Sequence, residues 1–264
     1  MNNAEKRKDY MRKIYSKQWS RKRAEYGIEQ YDRDLISEIS SSLKKERGGK
    51  ILEVAIGDGF PYANEFDKMG YDIYGIDIAP THVEMVNKAL PNVNVSVGDS
   101  ENLQFSDNFF NIVYCFRSTW YFTNLIKSIS EMVRVVKNDG IVFFDIQNSY
   151  HPIHRKFIRE QNRRTDHYLY HITSKYIRNF IKLLVRPIKY YGLDWSLRKN
   201  IIIATPTDPS IVNHLLQKEN FKYKVYGVNF RQSFTLKEIK KTDELNQFDR
   251  LVYKIKKGVN QSNI

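Results

Sequence analysis

The sequence predicts an α/β fold built on a parallel sheet, and three observations carry that prediction. Five short apolar runs, at 51–56, 72–77, 93–97, 110–116 and 141–146, alternate with helix-like stretches, the pattern of strands joined by right-handed helical crossovers. The first run, Ile51-Leu52-Glu53-Val54-Ala55-Ile56, ends in the closely spaced Gly57 and Gly59, and the second ends in Asp77. A chain of 264 residues suits one such domain with insertions or a small lid, and can bury a substantial core.

The elements follow in order. Residues 5–24 read as a polar helix with Tyr10, Ile14, Tyr15 and Trp19 at helical spacing, interrupted by Gly27. Ile28, Tyr31, Leu35, Ile36, Ile39 and Leu43 give a second helix, over 28–45, one apolar face, and Gly48-Gly49 closes it. Helices near 61–69, 81–89 and 123–137 separate the strands, and the turn Asn138-Asp139-Gly140 precedes the fifth. After Asp145 the rhythm lapses for about fifty residues rich in Arg, Lys, His and Tyr, then returns as a helix at 208–219 and strands at 222–228 and 249–256. The expected divisions are an N-terminal helical arm (1–48), a core (49–146), a basic lid or insertion (147–200) and a C-terminal completion of the sheet (201–264).

The net charge of +13 is unevenly placed: +6 over residues 1–50, −7 over 51–146 and +14 over 147–264. An acidic, motif-bearing core between basic flanks suggests a cofactor in the core and an anionic partner at the flanks; solvated Lys and Arg faces are the alternative. Within 174–190, Lys175, Arg178, Lys182, Arg186 and Lys189 recur among Tyr176, Ile177, Phe180, Ile181, Leu184 and Ile188. That basic amphipathic helix can lie on an anionic membrane, hold a diphosphate, or pack on the core as a lid. No apolar run approaches membrane-spanning length, and the polar start leads into no apolar signal region, so the chain is expected to be cytoplasmic, with peripheral contact at the inner membrane face left open. The single cysteine, Cys115, excludes an internal disulfide and a cysteine-based zinc site and is expected to serve packing.

Glycines at a strand's carboxyl end let the backbone approach a ligand without a Cβ in the way, and an acidic residue ending the next strand can accept hydrogen bonds from both ribose hydroxyls. The turn therefore signals a nucleoside-bearing cofactor, and alone it is compatible with NAD. A nicotinamide fingerprint wants a third glycine about three residues after Gly59, where Tyr62 stands.

Further segments narrow the choice. Leu52-Glu53-Val54-Ala55-Ile56-Gly57-Asp58-Gly59, Tyr74-Gly75-Ile76-Asp77-Ile78-Ala79-Pro80, Gly98-Asp99-Ser100-Glu101-Asn102-Leu103-Gln104-Phe105, Asp107-Asn108-Phe109-Phe110-Asn111-Ile112-Val113 and Glu131-Met132-Val133-Arg134-Val135-Val136-Lys137-Asn138-Asp139-Gly140 occur in that order. In these segments the chain resembles the class I S-adenosylmethionine-dependent methyltransferases, in particular the broad small-molecule group that includes ubiquinone-pathway and sugar methyltransferases. The resemblance implies a Rossmann-like, doubly wound, mostly parallel seven-stranded sheet with helices on both faces, here with a basic helical lid insertion. It implies S-adenosyl-L-methionine as cofactor, with Glu53, Ala55, Gly57 and Gly59 around the methionine moiety, Asp77 and the adjacent Ile78 at the ribose, and Asp99, Ser100 and Glu101 at the adenine edge. Cys115, Phe116 and Arg117 would close the pocket beneath the sulfonium. Asp99 could equally end a strand by an Asx-turn, and Glu53 could cap a helix.

Two departures stand out. Ala55 replaces the family's first glycine, which is expected to be tolerated if φ there is negative, and Asn138-Asp139-Gly140 replaces the usual Pro-Gly turn. The reaction implied is in-line methyl transfer, in which alignment of the nucleophile matters most. The catalytic residue is unassigned; His151, His154 and Asp145 are the candidate bases for a hydroxyl acceptor, and no His/Asp spacing signals a metal. The expected acceptor is a small or lipid-linked anionic molecule, with a sugar hydroxyl of polysaccharide biosynthesis preferred. An RNA methyltransferase is less favoured, since no RNA-binding module is recognisable, and a nonenzymatic cofactor-binding protein is a further alternative.

Overall fold

The computed structural model describes residues 3–18, 27–43, 49–156, 206–229 and 233–258. The basic helix expected at 174–190 and most of the 147–200 insertion lie outside the described residues. The elements are α1 (Asn3–Gln18), α2 (Gln30–Ser42), β1 (Lys50–Val54), α3 (Tyr62–Lys68), β2 (Asp72–Asp77), α4 (Pro80–Ala89), β3 (Asn94–Val97), β4 (Phe110–Cys115), α5 (Leu125–Val135), β5 (Val136–Gln147), α6 (Pro209–Lys218), β6 (Lys222–Asn229), β7 (Ser233–Glu238) and β8 (Arg250–Lys256).

Local chemistry sets the helix starts. Asn124 caps α5 by accepting from the Lys127 amide at 3.0 Å, and Asp208 caps α6 by accepting from the Ser210 amide at 2.8 Å, with Pro209 in the first turn. Glu29 and Asp32 form a reciprocal capping box at the start of α2.

The strands form one sheet in the order β3-β2-β1-β4-β5-β8-β6-β7. β1 through β5 are mutually parallel, whereas β8 runs antiparallel to both β5 and β6, and β7 antiparallel to β6. The sheet therefore has eight strands, one more than expected. The additional strand is the edge strand Ser233–Glu238, whose Phe234/Leu236 alternation is short enough to pass for loop. The fifth strand also starts earlier than expected: the Asn138-Asp139 segment is an irregular lead-in to it, with Asp139 at φ 63, and the register shifts between Phe110 and Ile112 opposite.

Alternate residues of the strands feed two apolar layers. Leu52, Val54, Val113 and Phe144 pack with Ile129, Met132 and Leu216 of α5 and α6. Ile51, Tyr114, Phe143 and Val252 pack with Leu35, Ile39, Phe66 and Val86 of α2, α3 and α4. Helices thus cover both faces. β2 and β3 build outward on one side of β1 and β4 returns on the other, so the strand order reverses between β1 and β4, where open α/β sheets present a crevice at the carboxyl ends. Among the described residues, no helix is long and apolar enough to cross a membrane.

Candidate functional site

A cavity of about 340 Å³ opens in that crevice. β1 ends at Val54, and the chain then turns through three left-handed residues in five positions: Ala55 (φ 61), Gly57 (φ 60) and Gly59 (φ 78). A Cβ on Gly57 would meet nothing within 4 Å, so its backbone borders the cavity in the open, whereas a Cβ on Gly59 would lie 2.8 Å from Leu90 Cδ1. Gly59 is therefore glycine for packing against α4, and it is not among the cavity residues.

The condition for tolerating Ala55 without strain, a negative φ, is not met: its φ is 61. Left-handed geometry costs a residue with a Cβ on the order of 1–2 kcal/mol, partly offset because glycine loses about 0.5–1 kcal/mol more entropy on folding. Ala55→Gly is expected to raise stability by up to about 1 kcal/mol, read by thermal unfolding; a lowered melting temperature would contradict the strain.

Asp77 closes β2 and organises the turn. Its Oδ2 accepts from the Gly57 amide at 2.9 Å and its Oδ1 from the Ala79 amide at 2.9 Å, with His82 Nδ1 3.1 Å from Oδ1. Glu53, nearly buried, accepts from the Tyr114 hydroxyl at 2.9 Å. Asp99 makes the Asx-turn that the sequence also allowed, accepting from the Glu101 amide at 2.9 Å, and still lines the cavity. Glu101 accepts from the Thr123 hydroxyl and, at 2.8 Å, from the Asn124 amide, so it also secures the start of α5. Ser100 shares a 2.9 Å hydrogen bond with Ser128.

Of the twelve residues singled out for the cofactor, the structure gathers Glu53, Ala55, Gly57, Asp77, Ile78, Asp99, Ser100, Glu101, Phe116 and Arg117 around the cavity. Gly59 and Cys115 fall outside its lining. Cys115 is fully buried in the sheet, and burial pushes its thiol well up from the ordinary range, which suits packing and not reactivity.

Other residues line the cavity that the sequence did not single out for the cofactor. Lys8, Met11 and Tyr15 come from α1, His82 from α4, and Trp120, Tyr121 and Phe122 from the turn after β4. The aromatic run Trp120-Tyr121-Phe122 was a visible signal; the α1 residues had none, lying more than forty positions before the glycine turn. Five carboxylates (Glu53, Asp58, Asp77, Asp99, Glu101) line the cavity against two cations (Lys8, Arg117). Both cations are paired: Lys8 with Asp99 and Glu101, and Arg117 with Glu29 at 2.7 Å and Asp32 at 2.8 Å. The residual field favours a positively charged ligand.

The candidate bases lie elsewhere. Asp145 is fully buried and accepts from the Tyr31 hydroxyl (2.9 Å), the Arg117 amide (2.8 Å) and Arg250 Nη1 (3.1 Å), so its oxygens are committed to the fold. His151 and His154 face one another with ring centroids 6.1 Å apart and are not among the cavity residues. Burial lowers the His154 pKa from the ordinary range. Below that range the unfolded chain holds the proton more readily, so His154 contributes stability that is full above pH 6.5 and lost as pH falls through its folded value. His154→Asn is expected to flatten the fall in melting temperature between pH 7 and pH 5; an unchanged slope would contradict this. Among the described residues, no group of three His, Cys, Asp or Glu is placed to hold a metal.

Part of the chain is similar to known proteins. Residues 52–144 match the model of a methyltransferase domain. The demethylmenaquinone methyltransferase of Chlorobaculum tepidum is 30% identical over 118 residues, covering 44% of this chain and 49% of the relative. The sterol 4-C-methyltransferase of Caenorhabditis elegans is 26% identical over 126 residues, covering 45% of this chain and 37% of the relative. The chain therefore spans half or less of the length of these two relatives. A solved S-adenosylmethionine-dependent methyltransferase of Thermotoga maritima has the same fold, with a TM-score of 0.54 at 17% identity over 84% of this chain and 87% of that one.

Proposed function

We propose that the chain, which matches a methyltransferase domain over residues 52–144, is a class I S-adenosylmethionine-dependent methyltransferase that moves a methyl group from that cofactor to a small, ring-bearing or lipid-linked acceptor. The observation that carries the reading is the cavity at the β1/β4 switch point, with Asp77 bonded to the Gly57 amide and an acidic lining suited to a cationic donor. Glu53, Ala55 and Gly57 would hold the methionine end, Asp77 and Ile78 the ribose, and Asp99, Ser100 and Glu101 the adenine edge. When bound, the cofactor supplies an electrophilic methyl on a positively charged sulfur. The chain's own residues would hold the donor still, exclude water with Met11, Tyr15 and Phe116, and align the acceptor in line.

The acceptor class rests on the wall of Tyr15, Trp120, Tyr121 and Phe122, aromatic faces against which a ring or an apolar headgroup packs. The two relatives are named for a demethylmenaquinone and a sterol, both ring compounds. An anionic part of the acceptor would stay outside the acidic cavity. A sugar hydroxyl is the narrower option, since aromatic faces also receive sugar rings. A screen with labelled cofactor against quinols, sterols, glycolipids, nucleotide sugars and RNA tests the reading. Label is expected in a ring-bearing small molecule or lipid; label in RNA alone would overturn it.

A further inference from the structure

The helix α1 lies outside the segment that matches the methyltransferase family, yet three of its side chains line the cavity. Lys8 is 7% exposed, and its Nζ lies 2.6 Å from Asp99 Oδ2 and 2.9 Å from Glu101 Oε2, two carboxylates contributed by the loop after β3. One turn on, Met11 borders the cavity, and then the Tyr15 ring stands 5.8 Å from His82 and 5.7 Å from Tyr121. α1 therefore bridges the loop after β3, α4 and the turn after β4.

The helix is otherwise polar, and its buried apolar side chains are Tyr10 and Met11. Hydrophobic burial alone holds such a helix weakly, so its contacts at the cavity carry much of its docking. Burial works against the Lys8 ammonium, but the two carboxylates outweigh it and raise its pKa, so the pair of bonds is charged at neutral pH. Asp99 is also the carboxylate read as facing the adenine edge. Its Oδ1 is held by the Glu101 amide and its Oδ2 by Lys8, so the two bonds together fix its direction.

We propose that Lys8 is a positioning residue of the donor site, which latches α1 over the cavity by bridging Asp99 and Glu101, so that docking of α1 and binding of the donor reinforce each other. The inference rests on reading the cavity as the donor site. Linkage makes the effect reciprocal: what Lys8 adds to donor affinity, the donor adds to the docking of α1.

The test uses the full chain and S-adenosylhomocysteine. Lys8→Ala is expected to weaken binding about tenfold, mainly through faster dissociation, with Lys8→Arg restoring most of it. Tyr15→Ala is expected to act in the same direction, which keeps the test open if Lys8→Ala fails to fold. Hydrogen exchange across residues 3–18 is expected to slow on adding the ligand to the wild type, and less in Lys8→Ala. A wild type that fails to bind would overturn the donor reading itself. A wild type that binds, with Lys8→Ala and Tyr15→Ala binding equally well and exchange in α1 indifferent to the ligand, would overturn the latch alone.

Discussion

Asp77→Ala is expected to lower affinity for S-adenosylhomocysteine by about 100-fold or more, because in the proposed donor site the carboxylate would accept charge-assisted hydrogen bonds from the ribose, each contributing about 1.5–3 kcal/mol. The structure adds a second effect. The same carboxylate accepts from the amides of Gly57 and Ala79, and truncating it strands two donors at a nearly buried position. Leaving such groups unpaired costs about 1–3 kcal/mol each, so the variant should also unfold at a lower temperature. Calorimetric titration together with thermal unfolding separates the two effects. Asp77→Ala that binds as tightly as the wild type would remove Asp77 from the site.

Asp145→Ala is expected to destabilise the fold by about 3–5 kcal/mol, the cost of breaking a buried charged network by removing one partner. For a chain of this size that lowers the melting temperature by about 10 °C. Asp145 ties α2 through Tyr31, β8 through Arg250 and the cavity through the Arg117 amide, where the backbone is left-handed at φ 59. Losing it frees Arg117 to leave that geometry, so the turn carrying Trp120 and Tyr121 should loosen as well. The comparison that decides is Asp145→Asn: if Asp145 were a catalytic base instead, Asn would keep the melting temperature and abolish turnover. The structure predicts a clear loss of stability in both variants.

Much of the fold was legible because its signals are local. Apolar runs of five to seven residues between helical stretches mark β1 to β4, and the positions of Gly57, Asp77 and Asp99 at strand ends follow from the chain order of the segments. Tyr31, Leu35, Ile36 and Ile39 of α2 are buried as their spacing predicts. What escaped depends on distant partners. Lys8 meets Asp99 across 91 residues, and Arg117 meets Glu29 across 88, so no periodicity within a window of sequence could join them. Ala55 escaped for another reason: the residue type suggests a right-handed or extended backbone, and the bend after β1 together with the Asp77–Gly57 bond imposes a left-handed one. Gly59 looked like a ligand contact because glycine serves both close approach and tight packing, and only the position of Leu90 separates the two.

The central claim is that the cavity at the end of β1 is a donor site for S-adenosylmethionine. Thermal-shift titration with S-adenosylhomocysteine, run beside NAD, tests it most directly. At a ligand concentration about one hundred times Kd, binding adds about 2.7 kcal/mol, which should raise the melting temperature by about 5–10 °C. That rise with S-adenosylhomocysteine and none with NAD is the predicted result; no rise, or a larger one with NAD, would contradict the account.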